Sequence, residues 1–254
     1  MTIGNIPKVL RRKPSRHAQI LIAYLPTTKL KHITNQAARQ RAAANLFHSC
    51  LRQILSAIET AGVEGVPMSS GDGVTRRTHP IFACFSGDYP KQVLVAGVKN
   101  GDCPKCEILR NELGAPEADY PLRNLEVILD ALALADRNPN EFVRACTEAG
   151  IKPIYHPFWQ GLPYANVYLS ITPDILHQGH QGGFRHLVNW LKKIFSKEEI
   201  DSGCQCLPPN HNVRLFLNGI TSLSKVTGKE HDEMSCSLLG LLINLCLPNN
   251  LDPA

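Results

Sequence analysis

Cys103 lies fifteen residues after Asp88, and this stretch constrains the chain more than any other. The apolar run Ile81 to Phe85 stops just short of Asp88, and Gly101-Asp102-Cys103-Pro104-Lys105-Cys106 follows. A carboxylate at the end of an apolar strand can hold a divalent cation through its oxygens. A Cys-x-x-Cys turn aims two thiolates at one point, as tetrahedral zinc requires. Together they point to metal-dependent phosphoryl-transfer chemistry with a zinc knuckle inserted in the fold. Ordinary explanations stay open: a strand-end Asp often forms a cap or turn, and two cysteines can meet in a turn incidentally. A thioredoxin-like redox pair fits poorly, because no helical pattern starts at the motif.

With 254 residues, 43% of them hydrophobic, the chain can form one large domain or two small ones. Its net charge of +5 permits nucleic-acid binding and equally suits an ordinary soluble surface. No apolar run reaches the roughly 18 residues of a membrane span. Met1 to Pro7 lacks the basic and long apolar segments of a secretory signal. The nine cysteines are scattered, with only Cys103/Cys106 and Cys204/Cys206 close together. The expectation is a nuclear or cytoplasmic protein with reduced thiols, neither secreted nor bound in a membrane.

Thr2 to Ile6 reads as a strand that needs a preceding partner. The basic segment that follows holds Arg11, Arg12, Lys13 and Arg16, either as a solvated loop or as an arm contacting phosphates. Ile20 to Leu25 predicts a short buried strand. A long helix is expected over Asn35 to Ala61, closed by Gly62, with Leu46, Phe47, Cys50, Leu51, Ile54, Leu55 and Ile58 on one face. Gly71-Asp72-Gly73-Val74 is a turn signal. Helical spacing recurs over Leu122 to Leu134, and Asn138-Pro139 opens a helix ending near Gly150. Residues 151 to 183 suggest a structured loop, and Phe184 to Phe195 a helix. Residues 201 to 213 suggest an irregular connection. A last helix is expected from Lys229, carrying Met234, Leu238, Leu241 and Leu245. Strands early and helices late argue for a mixed α/β domain with a helical portion.

Among further candidates, His156, His177 and His180 could complete a zinc site begun by Cys103 and Cys106. Asp174 and His177 could share one helical face, three residues apart. Cys204-x-Cys206 departs from the usual zinc turn. Asp72 is an alternative metal-binding carboxylate, although its Gly-Asp-Gly setting is that of a turn. Glu230 is either favourably placed against a helix dipole or a further metal-binding carboxylate. Arg76 and Arg77 add positive charge. No P-loop, dinucleotide-binding glycine pattern or Ser-His-Asp signature is present.

Over nearly its full length the chain resembles the Plavaka family of fungal transposases, relatives of the CACTA-type DNA transposons. The resemblance rests on Leu25-Pro26-Thr27-Thr28-Lys29-Leu30, Gly87-Asp88-Tyr89-Pro90-Lys91-Gln92, Gly101 to Cys106, His156-Pro157-Phe158-Trp159, Thr172 to Gln178 and Gly228-Lys229-Glu230-His231. It implies an α/β chain with an incomplete ribonuclease-H-like core and a zinc-bearing, largely helical insertion. The implied parts are residues 1–96 as core strands and helix, 97–183 as insertion and 184–254 as a C-terminal helical part. It implies cut-and-paste transposition, in which water and then a DNA 3′ hydroxyl attack phosphodiesters at two metal ions, Mg²⁺ or Mn²⁺. Asp88 corresponds to the second catalytic carboxylate and Glu230 to the third. Cys103 and Cys106, with His177 and His180, correspond to the structural Zn²⁺ site. Transposon-end DNA is the implied partner, with other transposase chains as possible oligomer partners. The first carboxylate is expected on a strand before Met1, so the chain is expected to be truncated at both ends and inactive alone. Gly179, Gly182 and Gly183 stand where the family pattern favours bulkier residues. The alternatives are a non-catalytic zinc-containing module that binds DNA or protein, and an unfolded transposon relic.

Overall fold

The computed structural model describes residues 1–115, 119–211, 213–224 and 226–243. They form two compact units, Met1–Thr172 and Pro173–Ala254. In the first, α1 (Lys8–Arg11) and a 3₁₀ turn (Pro14–Arg16) precede the long α2 (Gln36–Glu64). The antiparallel hairpin β1 (Val66–Ser69) and β2 (Thr75–Thr78) follows, then β3 (Phe85–Gly87) and α3 (Tyr89–Ala96). After a 3₁₀ turn at Arg110–Glu112 come α4 (Leu125–Leu132), α5 (Pro139–Glu148), α6 (Val167–Ser170) and β4 (Ile171–Pro173), which pairs with β3. The expected α/β mixture is present.

Local chemistry sets most boundaries. Asn35, Asn124 and Asn138 cap α2, α4 and α5, each accepting backbone N–H groups that the first turn leaves free. Pro139 is tolerated at the first position of α5, because its missing N–H would have had no helical partner. The expected turn at Gly71 to Val74 is the tip of the β1–β2 hairpin.

The core surrounds α3. Val93, Val95 and Ala96 are buried with Ile128 and Leu132 of α4, Phe142 and Cys146 of α5, and Phe158, Trp159 and Tyr168. Leu51, Ile54 and Ile58 of α2 pack against this cluster from one face of the helix. The end of α3 is closed by Gly97 at φ 72°, a left-handed position that disfavours a Cβ. Beyond it, Val98 and Ile151 form an isolated antiparallel bridge.

Four expectations change. Residues 20–25 form no strand, and Tyr24 is 89% exposed. A strand-like apolar run needs a sheet edge or another apolar surface to cover it, and the nearby pairing is a single bridge of Thr2 with Gln19. That bridge is also all that forms of the expected Thr2 to Ile6 strand. The expected strand at Ile81 to Phe85 shifts to β3, leaving Ile81 exposed. Gly62 lies inside α2, where a Cβ would come within 2.4 Å of Pro163, and Gly65 at φ 73° ends the helix instead.

In the second unit, a π-helix (Ile175–Phe184) runs into α7 (Arg185–Ile194), followed by α8 (Lys197–Gln205) and α9 (Gly228–Leu242). Leu191, Phe195, Ile200, Cys204, Met234, Leu238 and Leu241 make its core. Leu245 lies outside the described residues. Gly179, Gly182 and Gly183 all fall in the π-helix. The expected irregular connection begins as α8, nucleated by a capping box in which Ser196 and Glu199 satisfy each other's backbone N–H. Cys204 is buried in the core, where burial pushes its thiol up to about 11, while Cys206 is exposed.

His48 gives the first unit a pH dependence. It is wholly buried, and burial lowers its imidazole to about 4, against a smaller opposing effect of the Leu94 carbonyl. Below pH ~6.5 the unfolded chain binds a proton that the folded chain refuses. Stability is therefore expected to fall by up to about 3 kcal/mol as pH drops from ~6.5 to ~4. In denaturant titrations across that window, His48→Gln should show a flatter profile. Equal slopes for the two proteins would contradict the assignment.

Candidate functional site

Asp88 follows β3 and is the N-cap of α3: its Oδ1 accepts the Lys91 N–H at 2.9 Å. Its Oδ2 has no hydrogen bond among the described residues, so one carboxylate oxygen remains for a cation. Pro90 sits in the first turn of α3, and Gln92 Nε2 donates to the Gly87 carbonyl at 2.7 Å, holding the strand-to-helix corner.

Glu230 lies in the second unit, in the first turn of α9. Its Oε2 accepts the Thr227 N–H at 2.8 Å and hydroxyl at 2.9 Å, and its Oε1 pairs with Arg214. The Thr227 bonds, then Arg214, hold this carboxyl below its ordinary range. Both oxygens are thus engaged. Asp72 is bound likewise, pairing with Arg76 at 2.7 Å and accepting the Val74 N–H.

The Cys103–Cys106 turn has the form of a thiolate-stabilising knuckle. Cys103 Sγ accepts the N–H groups of Lys105 and Cys106, both at 3.4 Å. Burial alone would raise the Cys103 thiol, but these two N–H groups, Cys106 and the Arg123 guanidinium together lower it. Burial pushes the Cys106 thiol up. Arg123 is only 7% exposed and donates to the Cys103 carbonyl at 3.1 and 3.0 Å and the Gly150 carbonyl at 3.4 Å. It has no carboxylate partner among the described residues. A buried cation without a counter-ion is costly, and a deprotonated thiol beside it would offset that cost.

The expected histidine partners lie in other settings. In the second unit, Asp174 caps the π-helix through the His177 N–H at 2.5 Å and bonds His177 Nδ1 at 2.8 Å. The expected face-sharing of this pair is present, and Nε2 is left as the open ring position. His180 lies 4.0 Å from Asp232 and stacks on His231 at 6.4 Å. In the first unit, His156 bonds Asp136 at 3.1 Å. Among the described residues, no three His, Cys, Asp or Glu side chains converge in metal-holding geometry.

The basic residues separate into two kinds. Arg11, Arg12 and Lys13 line a small cleft of about 250 Å³ with His17, and no acidic side chain shares that lining. Arg11 Nε is buried there without a hydrogen-bond partner. Arg16 falls in the neighbouring 3₁₀ turn. Arg76 is tied to Asp72, and Arg77 donates to the Glu64 carbonyl at 2.6 Å, so both serve the hairpin. Sequence reasoning missed Arg123, whose partners are remote carbonyls, and Arg214. It also missed His231, although Gly228-Lys229-Glu230-His231 had been singled out.

The model of one protein family, described as Plavaka transposase, matches residues 1–191. No curated protein and no solved structure matches the chain.

The cap geometry separates two roles of Asp88. Asp88→Ala should destabilise the first unit by about 1 kcal/mol through loss of the cap. Asp88→Asn keeps a capping oxygen and should stay within a few tenths of a kcal/mol of wild type. Urea unfolding of the two variants checks this, and equal losses in both would contradict it.

Proposed function

The chain belongs to the Plavaka transposase family, and from that premise we propose that it binds the DNA backbone without cutting DNA by itself. The observation that carries this reading is the cationic cleft of Arg11, Arg12, Lys13 and His17, with its unpartnered Arg11 Nε. Guanidinium and ammonium groups on a concave surface suit phosphate oxygens. Binding of this kind is independent of sequence and weakens steeply with salt.

The parent activity, in an intact ribonuclease-H-like core, is metal-dependent strand cleavage and transfer. One feature favours an inactive chain: Glu230 has both oxygens committed, to Thr227 and Arg214, so it does not fit a metal ligand as it stands. Asp88 retains one open oxygen and is the proposed remnant of the catalytic set.

We also propose that Cys103 and Cys106 hold a structural Zn²⁺. The two N–H groups on Cys103 Sγ and the uncompensated Arg123 cation support thiolate ligation. Zinc there would fix the knuckle; it takes no part in strand chemistry. His177 and His180, which the family resemblance pairs with these cysteines, belong to the second unit, and the proposed Zn²⁺ rests on the two cysteines.

One preparation tests the reading. Affinity for duplex DNA should fall with salt, and Arg11→Gln should reduce the log–log slope by about 1, whereas Arg76→Gln should leave it unchanged. With Mg²⁺ or Mn²⁺ the wild-type chain should leave transposon-end DNA intact. Elemental analysis should find zinc that Cys106→Ser loses. Salt-independent binding, or nicking that Asp88→Ala abolishes, overturns the functional reading; a zinc-free wild-type chain overturns the metal assignment.

A further inference from the structure

The second unit contains a cleft of about 520 Å³ lined by α7, by Ile220, Leu223, Ser224 and Val226, and by the start of α9. Its volume lies in the range of small-ligand sites. Arg185 and Lys192, seven residues apart on α7, bring two cations to it, and Asn189 brings an amide. No carboxylate is among its described lining residues. The Arg185 guanidinium makes no hydrogen bond or ion pair among the described residues. Lys192 uses one N–H on the Thr221 carbonyl at 2.8 Å and keeps two.

The nearby acids are committed elsewhere. Asp201 accepts the N–H groups of Ile220 and Thr221 and the Thr221 hydroxyl. Glu230 is held by Thr227 and Arg214. Asp201 also acts on the Lys192 ammonium through space, so Arg185 is the cation of the cleft left without a carboxylate partner among the described residues. The rest of the lining sets the apolar side chains of Phe184, Val188 and Val226 beside the polar Gln181 and Ser224. His231 also lines the cleft; it is 93% buried, being 7% exposed, and its Nδ1 has no partner. Phe184 meets the His231 ring edge-on at 6.0 Å. Paired cations, an apolar wall and an unpartnered ring nitrogen together match a ligand that is flat at one end and anionic at the other.

We propose that this cleft binds a nucleoside monophosphate unit, with its phosphate on Arg185 and Lys192 and its base against Phe184, within reach of the His231 ring. The unit can be a free nucleotide or the 5′ end of a single strand. Only the strand-borne form rests on the DNA-binding function proposed above.

The test is calorimetric titration of the full chain, in chelator and low salt, with dAMP, deoxyadenosine, inorganic phosphate and a 5′-phosphorylated oligo-dT. Saturable binding of dAMP or the oligonucleotide, weakened about tenfold by Arg185→Gln, is the expected result. Phosphate and deoxyadenosine should each bind more weakly than dAMP. Arg144→Gln, outside the cleft, should change nothing. If dAMP binds in an Arg185-dependent way, the source can be a free nucleotide; if only the oligonucleotide does, the source is a strand end. The proposal falls if neither binds, or if Arg185→Gln keeps its circular dichroism and binds both as wild type does. Oligonucleotide binding sensitive to Arg11→Gln but not to Arg185→Gln would sink the cleft and leave the DNA-binding function standing. Arg185-dependent dAMP binding without duplex binding would do the reverse.

Discussion

Three carbonyls at the C-terminal end of α3 organise the first unit. The last turn of a helix leaves carbonyls without intrahelical partners, and α3 ends inside the core, where water is excluded. Leu94, Val95 and Ala96 present oxygens there; the first also accepts the Gly97 N–H at 3.2 Å, and the other two have no backbone partner among the described residues. His48 Nε2 reaches the first at 2.9 Å, Trp159 Nε1 the second at 2.7 Å and Tyr168 Oη the third at 3.2 Å. Each unmet carbonyl would cost about 1–3 kcal/mol. The three donors come from α2, the 151–162 segment and α6, so one helix end fixes three separate parts of the chain. It also fixes the His48 tautomer: a carbonyl only accepts, so Nε2 carries the proton, and Nδ1 is left without a partner.

The two ends of α3 divide structure from candidate chemistry. The C-terminal end is locked, and the N-terminal end presents Asp88 with one oxygen capping and one open. Past Gly97, Tyr89 Oη donates to the Asp102 carbonyl at 3.0 Å and accepts the Gly101 N–H at 2.7 Å. The helix thereby holds the approach to the Cys103 knuckle. Arg123 ties the far side of that knuckle to Gly150 after α5. Asp88 and Cys103, close in sequence, are thus placed by one framework, whatever metal chemistry either supports.

Features written in local chemistry were legible in the sequence. Asn138-Pro139 starts a helix because the cap and the fixed proline φ act within one turn. Features that depend on distant partners were not. Ile20 to Leu25 reads as a buried strand, but burial needs a sheet edge that the pattern cannot supply. Arg123 reads as one more cation, since its carbonyl partners lie 20 and 27 residues away. Helix α8 was missed despite its Ser196…Glu199 signal, because neighbouring cysteines and prolines suggested a loop. For the candidate site, residue types and spacing singled out Asp88 and the cysteine pair as candidates. They could not show that Thr227 and Arg214 occupy Glu230, or that Arg76 is tied to Asp72.

The dependence of the first unit on the end of α3 is tested most directly by equilibrium unfolding of Tyr168→Phe and Trp159→Phe. Each substitution keeps an aromatic ring and removes a single donor from a buried carbonyl. The account predicts a loss of about 1–3 kcal/mol for Tyr168→Phe, and at least as much for Trp159→Phe, which also loses volume. Unfolding midpoints and slopes equal to wild type in both variants would contradict it.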